Sequence, residues 1–163
     1  MSPDRRPKNR PTPRGAAPIR VGPSSDDVHE IVFFQRARTD GPAGAIPGRE
    51  FLAPCPPKVR ATMRAVLVAV ASSPPKRFSG GGYWEAMKGD MKGWFEVRVD
   101  GPQRRHYRLF CRLDYEAKDQ SKPLLVVIDG RTKAFRTELS AAEYLAVRAL
   151  GDEYLARNPR SIA

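Results

Sequence analysis

The pattern of apolar and polar positions divides the chain into stretches of two periods. Residues 28–38 contain the nearly unbroken apolar run Ile31, Val32, Phe33 and Phe34. Burial on both faces of a sheet produces such a run. Residues 41–48 read as a loop, and 49–53 as a single helical turn before Pro54. Pro57 suits the first position of a helix. After it, Val59, Met63, Val66, Leu67 and Val70 fall on one helical stripe, and Pro74-Pro75 ends it. The glycine-rich segment 79–82 lacks the spacing of a phosphate-binding loop and reads as a connector.

Residues 93–133 predict three strands. In 94–100, Phe95, Val97 and Val99 share one parity, opposite Trp94, Glu96, Arg98 and Asp100. In 106–113, Tyr107, Leu109, Cys111 and Leu113 oppose His106, Arg108, Phe110 and Arg112. Residues 100–103 (DGPQ) form the turn between them. Leu124 to Ile128 is apolar on both parities and belongs inside the sheet. Ser140 and Glu143 fit a capping box, followed by Tyr144, Val147, Leu150 and Tyr154 near one helix face. Asn158-Pro159 closes that helix.

The order β, α, β, β, β, α predicts an α+β fold. It is a small antiparallel sheet of about four strands, packed on N-terminal helices and a C-terminal helix. One sheet face is expected to remain open to solvent. The domain is expected over 27–158, preceded by a disordered Pro/Arg-rich tail at 1–26 and followed by a short tail at 159–163.

The open face carries the candidate chemistry. A hairpin turning near residue 102 pairs Arg98 either with His106 or with Arg108. Registers between these would set polar side chains against apolar ones, which burial forbids. Both allowed registers gather Arg98, His106, Arg108 and Arg112 on one face, with Glu96 and Asp100 among them. Glu96 and Asp100 suit orientation of the arginines. Trp94 and Phe110 share this parity, either to stack on bases or to pack under a partner. His29 and Tyr107 read as structural. Arg104 and Arg105 at the turn suit phosphate contacts, or only solvate it.

Composition fits a polyanionic partner. The 163 residues hold 29 Lys and Arg against 18 Asp and Glu, a net charge of +11. Residues 1–25 carry six basic groups and one acid, so about half of the excess lies in the domain. Such a field speeds encounter with nucleic acid. The two cysteines, Cys55 and Cys111, make neither a disulfide framework nor a zinc site and read as free thiols of a reducing, cytoplasmic compartment. No membrane span, signal peptide or small-molecule cofactor is expected.

RNA can be cut when its 2′-OH attacks the adjacent phosphorus in line and the 5′-oxygen leaves. That reaction needs a base, an acid and cations for the developing charge. Guanidinium forks match phosphate oxygens, and a histidine or a lysine can move the protons.

The residues Gly93-Trp94-Phe95-Glu96-Val97-Arg98, then Tyr107-Arg108-Leu109-Phe110, then the apolar strand running to Asp129-Gly130-Arg131-Thr132-Lys133, and the closing helix, follow one another in a characteristic order. In this the chain resembles the phage-derived HigB branch of the RelE/ParE toxin superfamily, over about residues 28–157. The resemblance implies a metal-independent endoribonuclease that cuts mRNA on the ribosome, and a cognate helix-turn-helix antitoxin as partner. It assigns Arg98 and Arg108 to phosphate binding and charge stabilisation, and Lys133 to the first of a terminal lysine pair. Ala134 stands where the second lysine is usual, and Arg131 where an aromatic is common. His106 joins Arg98, Arg108 and Lys133 as a candidate catalytic residue. Lys92, Arg104, Arg105, Arg112 and Arg131 are candidates for RNA binding, and Lys92, His106 and Arg131 also for the missing lysine's role. The alternatives are a ParE-like gyrase poison and an inactive protein that binds RNA or antitoxin.

Overall fold

The computed structural model describes residues 22–38, 44–73 and 82–163. Most of the expected tail, Pro74-Pro75 and most of the glycine-rich connector lie outside the described residues, as does part of the 41–48 loop. The elements run β1 (Glu30–Phe33), α1 (Pro47–Leu52), α2 (Pro57–Ala71), β2 (Trp84–Ala86), β3 (Phe95–Gly101), β4 (Arg105–Asp114), β5 (Leu124–Ala134) and α3 (Ala141–Leu155). Among the described residues no helix is long and apolar enough to cross a membrane.

The fold is α+β, but its sheet has five strands in the order β1-β5-β4-β3-β2 and is mixed. The expectation of about four antiparallel strands is corrected at both edges. β1 runs parallel to β5. The three residues of β2 pair antiparallel with β3 and are too few to show a period.

α2 begins at Pro57, as its fixed φ favours, and buries Val59, Met63, Leu67 and Val70. These pack with Val97, Val99, Leu109, Cys111, Leu125 and Val127 on one sheet face. α3 begins at Ser140, whose side chain accepts from the Glu143 N–H while the Glu143 carboxylate accepts from the Ser140 N–H. It lies on the opposite face, where Val147 and Tyr154 meet Trp94, Phe110, Val126 and Ile128.

The second face is therefore not open to solvent, contrary to the sequence-based expectation. Phe110 and Trp94 are buried by α3 and do not offer stacking platforms. A Cβ at Gly151 would collide with the Trp94 ring, so this glycine lets α3 approach that closely. Gly130 does the same for Phe51 of α1 against β5.

Segment 159–163 does not hang free. Ala163 exchanges both backbone hydrogen bonds with Phe33 at 2.9 and 3.1 Å, and Ile162 bridges to Phe34. A buried knot anchors it: Tyr154 Oη donates to Asp114 Oδ2 at 2.6 Å, and Arg160 Nε donates to the same oxygen at 2.8 Å. Asp114 is desolvated, yet these donors hold its carboxyl below the usual range. His29 is buried with its Nε2 at 3.3 Å from the Tyr115 hydroxyl, in keeping with a structural role. Cys55 and Cys111 are buried free thiols, and burial raises both of their pKa values.

Candidate functional site

α3 covers the middle of its sheet face but leaves the β3–β4 hairpin end accessible. Register there decides which side chains meet. Arg98 stands opposite Arg108, and Asp100 opposite His106. Across the next pair, Arg108 stands opposite Arg131 and His106 opposite Lys133. Of the two even registers open to the sequence, the structure adopts the one that pairs the arginines. Residues directly opposite share a face, so two cross-strand rows form: Asp100–His106–Lys133 and Arg98–Arg108–Arg131.

An open cleft of about 1220 Å³ lies at this end. Arg98, His106, Arg108 and Lys133 all line it, so the four candidate catalytic residues converge. β2 pairs with β3 only from Phe95 to Val97. The cleft wraps the remaining edge of β3, from Pro57 and Thr62 at the start of α2 round to Lys133 and Glu138.

The cations differ in their freedom. Arg98 Nη1 bonds Glu85 Oε2 at 2.9 Å, and its Nε lies 3.5 Å from Glu96 Oε1. Its side chain remains 37% exposed and can present one guanidinium edge outward. Arg108 is only 4% exposed. Its Nε is 4.0 Å from Glu96 Oε2, and its Nη1 donates to the Tyr107 carbonyl at 3.2 Å. Burial lowers its pKa despite Glu96. Burial also raises Glu96, against the pull of Arg108, Arg98 and Lys133. Glu96 thus orients both arginines, as its place on the strand implies.

Asp100 turns instead to His106, its Oδ1 in a short contact with Nδ1. The ring is further fixed by stacking on Phe135, with centroids 4.2 Å apart. Lys133 is half-buried, and its ammonium has no ion-pair partner among the described residues. Tyr144 of α3 packs edge-on against Phe110 at 6.2 Å, and burial raises its hydroxyl pKa, with Glu96 adding to the shift.

The candidate RNA-binding residues scatter. Lys92 is exposed in the turn before β3, at the strand end away from Asp100. Arg112 lies over the Trp94 ring at 5.1 Å, held by that stack beside α3. Arg131 continues the arginine row but is tied to Asp129 at 3.1 Å, in a neighbouring depression with Glu50 and Phe51. It therefore does not line the cleft, and neither does Lys92. Arg104 and Arg105 are exposed at the turn. Arg105 reaches Thr132 Oγ1 at 3.4 Å, on the face away from His106.

The cleft also contains residues that strand periodicity missed. Tyr83 precedes β2, and Arg136 follows β5 with φ of 61°. Neither belongs to a strand, so no alternation marked them. An aromatic beside a glycine run was the one available signal for Tyr83. Among the described residues, no group of three or more His, Cys, Asp or Glu side chains is placed to hold a metal ion.

Comparison with protein-family models, with curated proteins and with solved structures found no significant match to this chain.

Proposed function

We propose that this protein is a metal-independent endoribonuclease that cuts mRNA on the ribosome, the toxin of a pair whose helix-turn-helix antitoxin restrains it. The observation that supports this reading is the convergence of Arg98, His106, Arg108 and Lys133, from three strands, on one open cleft. The net charge of +11 would draw RNA toward it.

In the proposed reaction, Asp100 accepts from His106 Nδ1–H. This leaves Nε2 to take the proton of the attacking 2′-OH. Lys133 protonates the departing 5′-oxygen. The outward edge of Arg98 stabilises the charge on the pentacoordinate phosphorus. Arg108 acts through Glu96, fixing Arg98 in place rather than gripping phosphate itself. The products are a 2′,3′-cyclic phosphate and a 5′-hydroxyl.

A second reading rests on the carboxylates. Glu85 and Glu96 absorb much of the charge of Arg98 and Arg108, which favours an RNA-binding protein without catalysis. Induction in a bacterial host, with primer extension on several transcripts, separates the two. Cleavage sites that appear with growth arrest and vanish in His106→Ala support the nuclease. Harmless induction with intact transcripts supports the binder, and DNA damage with intact transcripts would indicate gyrase poisoning instead.

A further inference from the structure

We propose that Tyr83 is the base-stacking residue of the cleft, the platform on which a nucleobase of the bound strand rests. This deepens the RNA-binding reading and rests on it. An exposed aromatic alone says little, because single exposed apolar residues are normal. Position distinguishes this one. Among the described residues, the large exposed apolar side chains are Val28, Tyr83, Tyr115, Leu145 and Leu155, and of these only Tyr83 lines the cleft.

Its main chain is fixed. The Tyr83 carbonyl accepts from the Arg98 N–H at 2.8 Å, so the residue sits level with Arg98 at the end of β2. The next residue, Trp84, is buried, stacked on Phe95 with centroids 5.0 Å apart. That stack anchors the strand from the other face. The residue is 56% exposed on this anchored backbone.

Adjacent strands lie about 4.8 Å apart. Tyr83, just ahead of β2, lies level with Arg98 and Arg108 on the next two strands, with the His106–Lys133 row one step along. A base on Tyr83 therefore sets its adjoining phosphodiester over Arg98, beside the His106–Lys133 row. Trp94 and Phe110 are sealed under α3, so among the described residues this ring is the aromatic surface that the cleft presents on its Arg98 side. Base–aromatic stacking tolerates any base, so this contact adds affinity and register without sequence preference.

The test uses the full chain and two short fluorescent 2′-O-methyl oligoribonucleotides that cannot be cut, one with bases and one fully abasic. Anisotropy titrations should show the native protein favouring the base-bearing probe by roughly tenfold. Tyr83→Ala should remove that preference while leaving the salt dependence unchanged, because it deletes no phosphate contact. Tyr83→Phe should keep the preference. If the native protein binds both probes and Tyr83→Ala still prefers bases, the stacking role is overturned and RNA binding stands. If the native protein binds neither, the RNA-binding reading fails and this inference with it.

Discussion

Arg98 and Arg108 face each other across β3 and β4, and one carboxylate, Glu96, lies 3.5 Å from the first and 4.0 Å from the second. The two guanidiniums share a row and differ in surroundings. One is partly open to the cleft; the other is buried in its wall. Their substitution should therefore have unlike consequences.

Arg98→Ala should leave the unfolding midpoint nearly unchanged, since partly exposed pairs contribute about 0–1 kcal/mol. It should abolish RNA cleavage. Arg108→Ala leaves Glu96 desolvated beside an empty volume and should cost roughly 3 kcal/mol. Urea unfolding of both variants checks this. Equal destabilisation would show that burial does not separate their roles.

His106→Ala should lower the single-turnover cleavage rate by roughly 10²–10⁴ while changing RNA affinity little. Asp100→Asn should fall between that variant and the native protein, because it weakens the hold on Nδ1 without removing the ring. Rates measured at saturating protein, beside affinities from anisotropy, distinguish these effects.

The knot of Asp114, Tyr154 and Arg160 gives a pH prediction. The Asp114 carboxyl is held below its ordinary range in the folded protein, so its stabilisation is present above the unfolded value, about 3.9. It is lost as pH falls through the lowered folded value. Burial raises Glu96 and Asp129, which act in the opposite sense. The comparison must therefore be with Asp114→Asn. The native protein should lose its advantage over that variant as pH falls from about 5 toward 2. A constant difference across this window would remove the charge from the account of the knot.

Gly151→Val should destabilise by about 1–3 kcal/mol, because the added side chain enters the volume of the Trp94 ring. A drop in melting temperature with an unchanged far-ultraviolet spectrum is the expected result.

Much of this architecture was legible in the chain. Pro57 and the stripe from Val59 to Val70 mark α2, and the Ser140–Glu143 box marks the start of α3. Strand alternation placed Arg98, His106 and Arg108 on one face and reduced the hairpin register to two choices. The observed register then brought Lys133 opposite His106.

What escaped is non-local. The side on which α3 packs depends on long-range contacts between Val147, Tyr154 and the sheet, which no period reveals. Trp94 and Phe110 share the parity of Arg98 and Arg108, and these apolar residues in charged rows were the sign that the face is covered further along. The parallel pairing of β1 is a matter of topology: α1 and α2 carry the chain to β2 at the far edge, and the antiparallel run from β2 to β5 then ends beside β1. Asp100 read as a partner for arginines, and only the hairpin geometry turned it to His106.

Incubating the purified protein with mRNA on translating ribosomes, and analysing the ends of the fragments, tests the nuclease account most directly. Fragments bearing 2′,3′-cyclic phosphate and 5′-hydroxyl ends, absent with His106→Ala and with Arg98→Ala, are the predicted result. Intact mRNA with the native protein, or the same fragments in undiminished yield from His106→Ala, would contradict it.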